Sequence, residues 1–170
     1  MKKTSILPRC CRAIGLAGLL ASITVASAAT VTTTFQVTAS VAAQCSVTAA
    51  DLAFGAVNPL GGNVDQTTTL TVKCTKDSSY TVGINAGTTA GSTIAARLMA
   101  NGANTMQYQL YSDSGRLTIW GNSAGSWISG TGAGMGTGQS LTVYGRVPSG
   151  QTNLAVGSYS EPTITVTITY

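Results

Sequence analysis

From residue 163 to residue 170 the chain alternates without a break. Thr163, Thr165, Thr167 and Thr169 take one set of positions, and Ile164, Val166, Ile168 and Tyr170 take the other. The same period of two begins again at Val31. There Val31, Thr33, Phe35, Val37, Ala39, Val41, Ala43 and Cys45 alternate with Thr32, Thr34, Gln36, Thr38, Ser40, Ala42 and Gln44. Successive side chains of an extended backbone point to opposite faces, so each stretch presents one apolar face to a core and a Thr-rich face to water. No long helical pattern lies between them, and the expectation is an all-β chain.

Shorter candidate strands cover residues 67–74, 80–84, 106–111, 117–120 and 141–147. Turn chemistry separates them: Asn58-Pro59 with Gly61-Gly62, Ser112-Asp113-Ser114-Gly115, and Pro148-Ser149-Gly150. Seven or eight short strands at this spacing suggest an antiparallel sandwich. The Gly-rich stretch at 130–138 (GTGAGMGTG) reads as a flexible loop. The chain has 170 residues, of which 44% are hydrophobic and 8% charged. With neither a linker nor a second hydrophobic core in sight, this is read as one domain and a removable segment.

The formal charge of +4 invites a nucleic-acid reading, but its location argues otherwise. Lys2, Lys3, Arg9 and Arg12 crowd the first twelve residues. Beyond them Lys73, Lys76, Arg97, Arg116 and Arg146 balance Asp51, Asp65, Asp77, Asp113 and Glu161. No basic stripe for nucleic acid remains. The basic start, an apolar run at 13–26 and the small residues Ala26-Ser27-Ala28 fit a secretory signal over residues 1–28, too short in its apolar part to span a bilayer. Cys10 and Cys11 precede the apolar run, which disfavours a lipoprotein. Cys45 and Cys74 then remain, and an even count in an exported chain argues for one disulfide, the alternative being two buried thiols.

Motifs with chemistry are present only as letters. Gly121-Asn122-Ser123-Ala124-Gly125 matches G-x-S-x-G, yet the chain has no histidine to activate a serine, and no helix pattern follows. The 130–138 stretch lacks the G-K-[ST] ending of a phosphate loop. The two later cysteines stand far apart and the carboxylates are single, which is poor material for a metal site or a paired-acid glycosidase. The chain reads as a non-enzyme with no cofactor, no metal and no small-molecule substrate. Phe54, Trp120 and Tyr144 read as core or turn packing, and Arg97 and Arg146 as partner or turn contacts.

A set of short motifs in order then carries a resemblance. They are Cys45-Ser46-Val47, Leu52-Ala53-Phe54-Gly55, Val72-Lys73-Cys74, Tyr80-Thr81-Val82-Gly83-Ile84, Gly87, Arg97-Leu98-Met99 and Tyr108-Gln109-Leu110-Tyr111. Trp120-Gly121, Tyr144-Gly145-Arg146-Val147-Pro148, Gln151 and Gly157-Ser158-Tyr159 complete the set. In this order and spacing the chain resembles the spore coat protein U domain family, whose members include subunits of archaic chaperone–usher pili. The resemblance implies an incomplete immunoglobulin-like antiparallel sandwich that lacks its last strand and is completed by donor-strand exchange. It also implies a periplasmic chaperone, an outer-membrane usher and identical or related subunits as partners, with export through the periplasm to the cell surface.

On that reading residues 29–39 form the donor strand and 40–170 the sandwich domain. Val31, Phe35 and Val37 are the candidate groove-filling side chains, and Ile164, Val166, Ile168 and Tyr170 form the chaperone-contact strand. The alternative for the first stretch is an ordinary first strand packed on its own domain. For the whole chain the competing readings are a spore or cell-coat protein of the same family, a small secreted hydrolase, and a monomeric binding module.

Overall fold

In the strand Val64–Cys74 the alternation takes physical form: Leu70, Val72 and Cys74 are buried while Thr67, Thr69 and Lys73 face outward. The computed structural model describes residues 27–170, so most of the signal reading at 1–28 lies outside the described residues. Within them are eight strands: β1 (Cys45–Ala49), β2 (Val64–Cys74), β3 (Ser79–Ile84), β4 (Arg97–Asn101), β5 (Asn104–Tyr111), β6 (Ile128–Thr131), β7 (Gln139–Val147) and β8 (Val166–Thr169).

The strands form two antiparallel sheets, β1-β2-β7-β5-β4 and β6-β3-β8. They share one core, to which the first sheet contributes Leu70, Val72, Val143 and Val147, and the second Val82 and Ile84. Trp120 stitches the two together. Its backbone N–H donates to Leu110 O (2.9 Å), and its fully buried indole donates to Val82 O (2.9 Å). The result is an immunoglobulin-like sandwich, contained in the compact unit Ser40–Tyr170.

The alternative of an in-cis first strand at residues 31–43, and two expectations about shorter segments, need correction. Residues 31–43 form no strand within the chain, and only the last position of that alternation, Cys45, lies in a sheet. The ladder explains why: Cys45 pairs with Cys74, where β2 ends, and the chain turns away at Thr75, so β2 has no residue left to pair with residues 31–43. Residues 117–120 also form no strand, only a bridge between Tyr111 and Ile119. There the Asp113 carboxylate accepts the N–H groups of Leu117 (3.1 Å) and Thr118 (2.7 Å), closing a tight turn. The Gly-rich stretch is not wholly a loop, because Gly130 lies in β6. A Cβ at Gly130 would sit 2.5 Å from the Tyr80 ring, so glycine here allows β6 to pass over a buried aromatic.

Cys45 and Cys74, 29 positions apart, form the expected disulfide. Closing a loop of that size restricts the unfolded chain by about 3–4 kcal/mol in the loop-entropy account.

Candidate functional site: an open groove beside the last strand

Strand β8 is paired on one side only. It bonds β3 through Thr81↔Thr169, Val82↔Ile168, Gly83↔Thr167 and Ile84↔Val166, and among the described residues no strand adjoins its other edge. Its alternation is intact: Ile164, Val166 and Ile168 are half-buried against the core, while Thr165, Thr167 and Thr169 are exposed. An unpaired edge leaves a row of backbone donors and acceptors available to another extended chain. Tyr170 lies beyond the strand and is 54% exposed.

Beneath this edge the sandwich is open. A cavity of about 960 Å³ runs over the buried side chains of Leu70, Ile84, Met106, Tyr108 and Val143. Leu52, Phe54 and Val57 line it from the β1–β2 connection, Leu154, Tyr159 and Ile164 from the chain leading into β8, and Val166 from β8 itself. Gly145 on β7 makes room for that connection. A Cβ there would lie 2.5 Å from Leu52 and 2.9 Å from the Phe54 ring. The groove is thus a gap over the apolar core that reaches β8 at Ile164 and Val166, where the strand begins.

Glu161 fixes the chain just before β8. Its carboxylate accepts the backbone N–H groups of Thr88 (3.0 Å), Thr89 (2.7 Å) and Thr163 (2.9 Å), and the hydroxyls of Thr88 and Thr89. Burial alone would raise its pKa, but hydrogen bonds led by those from Thr89 outweigh it and hold the carboxyl at about 2. Gly87, at φ +86°, passes so close that a Cβ would lie 2.7 Å from the carboxyl carbon.

Arg97 departs from the contact expected of it. It is fully buried instead of making a partner or turn contact. It donates to the carbonyls of Asn85 (2.9 Å), Ile84 (3.0 Å) and Trp120 (2.7 Å) and to the side chain of Gln109, with no carboxylate among these acceptors. Burial lowers its pKa to about 10, which leaves it charged at neutral pH. Arg146 instead pairs across the outer sheet face with Asp65 at 2.7 and 2.8 Å, and Arg116 joins that carboxylate at 3.3 Å. Ser123 of the G-x-S-x-G letters sits in an exposed turn, its carbonyl accepting from Ser126 N (2.9 Å).

Residues 27–39 contain no helix, strand or turn. Val31, Phe35 and Val37 are 94%, 86% and 81% exposed. Three large apolar side chains in water on one face of a short segment are an unspent hydrophobic surface. Further along, Gln44 and Thr75 hold each other: Gln44 N donates to Thr75 Oγ1 (3.0 Å) and Thr75 N to Gln44 O (2.8 Å). Sequence reasoning found the β8 row but assigned no site role to Leu52, Phe54, Tyr108 or Glu161. The Leu52-Ala53-Phe54 alternation was a signal for the first two, whereas a lone Glu161 offered none.

The family model for the Spore Coat Protein U domain matches residues 31–169. A curated relative, "Protein U" of Myxococcus xanthus, is 36% identical over 174 residues, covering 93% of this chain and 95% of its own. Among solved structures, the chain is similar to one in the CsuC–CsuE chaperone–tip adhesion subunit pre-assembly complex from archaic chaperone-usher Csu pili of Acinetobacter baumannii. The TM-score is 0.56 at 20% identity, with 76% of this chain covered. The match spans 40% of the length of that solved chain, and at this identity it supports the fold.

Proposed function

Because the chain belongs to the Spore Coat Protein U domain family, matched over residues 31–169, we propose that it is a structural subunit of a chaperone–usher pilus that polymerises by donor-strand complementation. The observation that carries this reading is the open groove beside the unpaired edge of β8, in a chain that also bears an exposed, alternating apolar segment. Residues 29–39 are the donor strand and 40–170 the acceptor domain. Val31, Phe35 and Val37 of one subunit fill the groove of the next, while ladder bonds along β8 set the pairing. Burying three such side chains contributes about 1.5–3 kcal/mol each.

Before assembly the same edge, with Ile164, Val166, Ile168 and Tyr170, is covered by a strand of a periplasmic chaperone, and an outer-membrane usher exchanges that strand for the next subunit's. Residues 1–28 direct export and are removed as the chain passes through the periplasm to the cell surface. The filament supports surface adhesion and biofilm. Similarity to a pilus subunit pre-assembly complex supports this assembly route.

Deleting residues 29–38 tests it. The truncated subunit is expected to fold and to be recovered with its chaperone, yet to form no polymer. Loss of the domain's own fold on truncation would instead show the segment to be its first strand.

A second reading, a spore or cell-coat protein built from the same domain, is favoured by the description of the matched family, Spore Coat Protein U domain. Antibody labelling of intact cells separates the two, since pili predict filaments reaching away from the surface and a coat predicts a continuous layer.

A further inference from the structure

Among the described residues, the lining of the groove contains one buried polar group with nothing to bond. The hydroxyl of Tyr108 is buried and has no hydrogen-bond partner, although its ring, 4% exposed as a residue, lines the cavity and meets Phe54 edge-on at 6.1 Å between centroids. Other polar side chains on the lining are either engaged or, like Asp51, Ser158 and Ser160, exposed to water. Thr68 donates to Ala50 O at 2.8 Å, and Glu161 is taken up by residues 88, 89 and 163. A hydroxyl kept from water without a partner destabilises the state that contains it, so it favours whatever brings one.

The donor segment carries one matching feature. Its alternating row across 29–39 reads Ala29, Val31, Thr33, Phe35, Val37 and Ala39, and Thr33 is the only polar member. In an otherwise apolar row a threonine loses favourable burial unless its hydroxyl is satisfied. Resting on the strand-donation reading above, we infer that Thr33 of one subunit hydrogen-bonds Tyr108 of the next and fixes the register of the joint. Either hydroxyl can donate. The contact places Val31 on one side of Tyr108 and Phe35 on the other, each about 7 Å along the strand from Thr33. A slip by two residues would bring Val31 or Phe35 to the Tyr108 hydroxyl and bury Thr33 against hydrocarbon. A purely apolar row would distinguish such registers only by size.

The test uses polymers of the full-length subunit and follows release of subunits in denaturant. Thr33→Val is expected to speed release about tenfold, and Tyr108→Phe to do so by a similar factor. The double variant should be no worse than either single one, the signature of one shared interaction. Thr34→Val, on the opposite face, should leave release unchanged. Thr33 lies outside the acceptor domain's core, so its substitution reads the joint even if Tyr108→Phe folds poorly.

Unchanged release with Thr33→Val, or effects of the two substitutions that simply multiply, would overturn the contact. Phe35→Asp reports separately on donation itself. If it assembles as well as the parent, the strand-donation reading fails. If it blocks assembly while Thr33→Val has no effect, donation stands and the register contact falls.

Discussion

Glu161 is bound to Thr89 twice, its carboxylate accepting the backbone N–H at 2.7 Å and the hydroxyl at 2.6 Å. These contacts join the turn after β3 to the chain entering β8, so the strand that borders the groove is positioned by a charged group. The pKa, lowered from 4.5 to about 2, gives the sign of the pH dependence. A carboxyl that loses its proton more readily when folded stabilises the fold above about pH 4.5, and that contribution disappears as pH falls toward 2. Asp65, held down chiefly by its bond to Arg146, acts in the same direction. Thermal midpoints of the parent and Glu161→Gln from pH 2 to 7 should therefore differ most at neutral pH and converge in acid. A constant offset across that range would refute the assignment.

Replacing Arg97 should be severe. Arg97→Met keeps the packing volume but leaves the carbonyls of Ile84, Asn85 and Trp120 without their donor. At about 1–3 kcal/mol for each unsatisfied buried group, a loss of at least about 3 kcal/mol is expected. Urea titration measures it as a fall in the unfolding midpoint. A loss below about 1 kcal/mol would mean that water replaces the guanidinium at those carbonyls.

Gly145→Val offers a different probe, because valine suits a strand better than glycine does. Here its side chain would collide with Leu52 and Phe54. Overpacking of that kind costs about 1–3 kcal/mol, and it should push the β1–β2 connection outward at the groove. The predicted result is a lower urea midpoint together with slower assembly. Gly62→Ala, where a Cβ meets nothing within 4 Å, serves as the quiet comparison.

Much of the sandwich was legible because its strands obey a period of two. The ranges read at 80–84 and 141–147 fall within β3 and β7, and the buried row of β8 carries the same residues that the alternation marked. Alternation could not say where a strand's partner resides, however. Residues 31–43 and 163–170 look alike as letters, yet the second pairs with β3 over Val166–Thr169 and the first has no ladder among the described residues.

What stayed hidden depends on contacts between residues distant in sequence. β4 contains Arg97, whose buried guanidinium is satisfied by carbonyls from β3 and the Trp120 segment, and no local pattern announces that arrangement. The glycines near β6 looked like flexibility because the aromatic they pass over lies 50 positions away, at Tyr80. Tyr108 and Glu161 likewise acquire their places at the groove only when the two sheets close on each other.

The Cys45–Cys74 bond stands where the exposed leading segment enters the sheet. Tension applied through residues 27–44 reaches β1 at its first residue, the point from which a hydrogen-bonded ladder would open pair by pair like a zip. That first pair is covalent. Force therefore passes directly into β2, which is held along its length by β7, and the five-residue strand β1 does not bear the load alone.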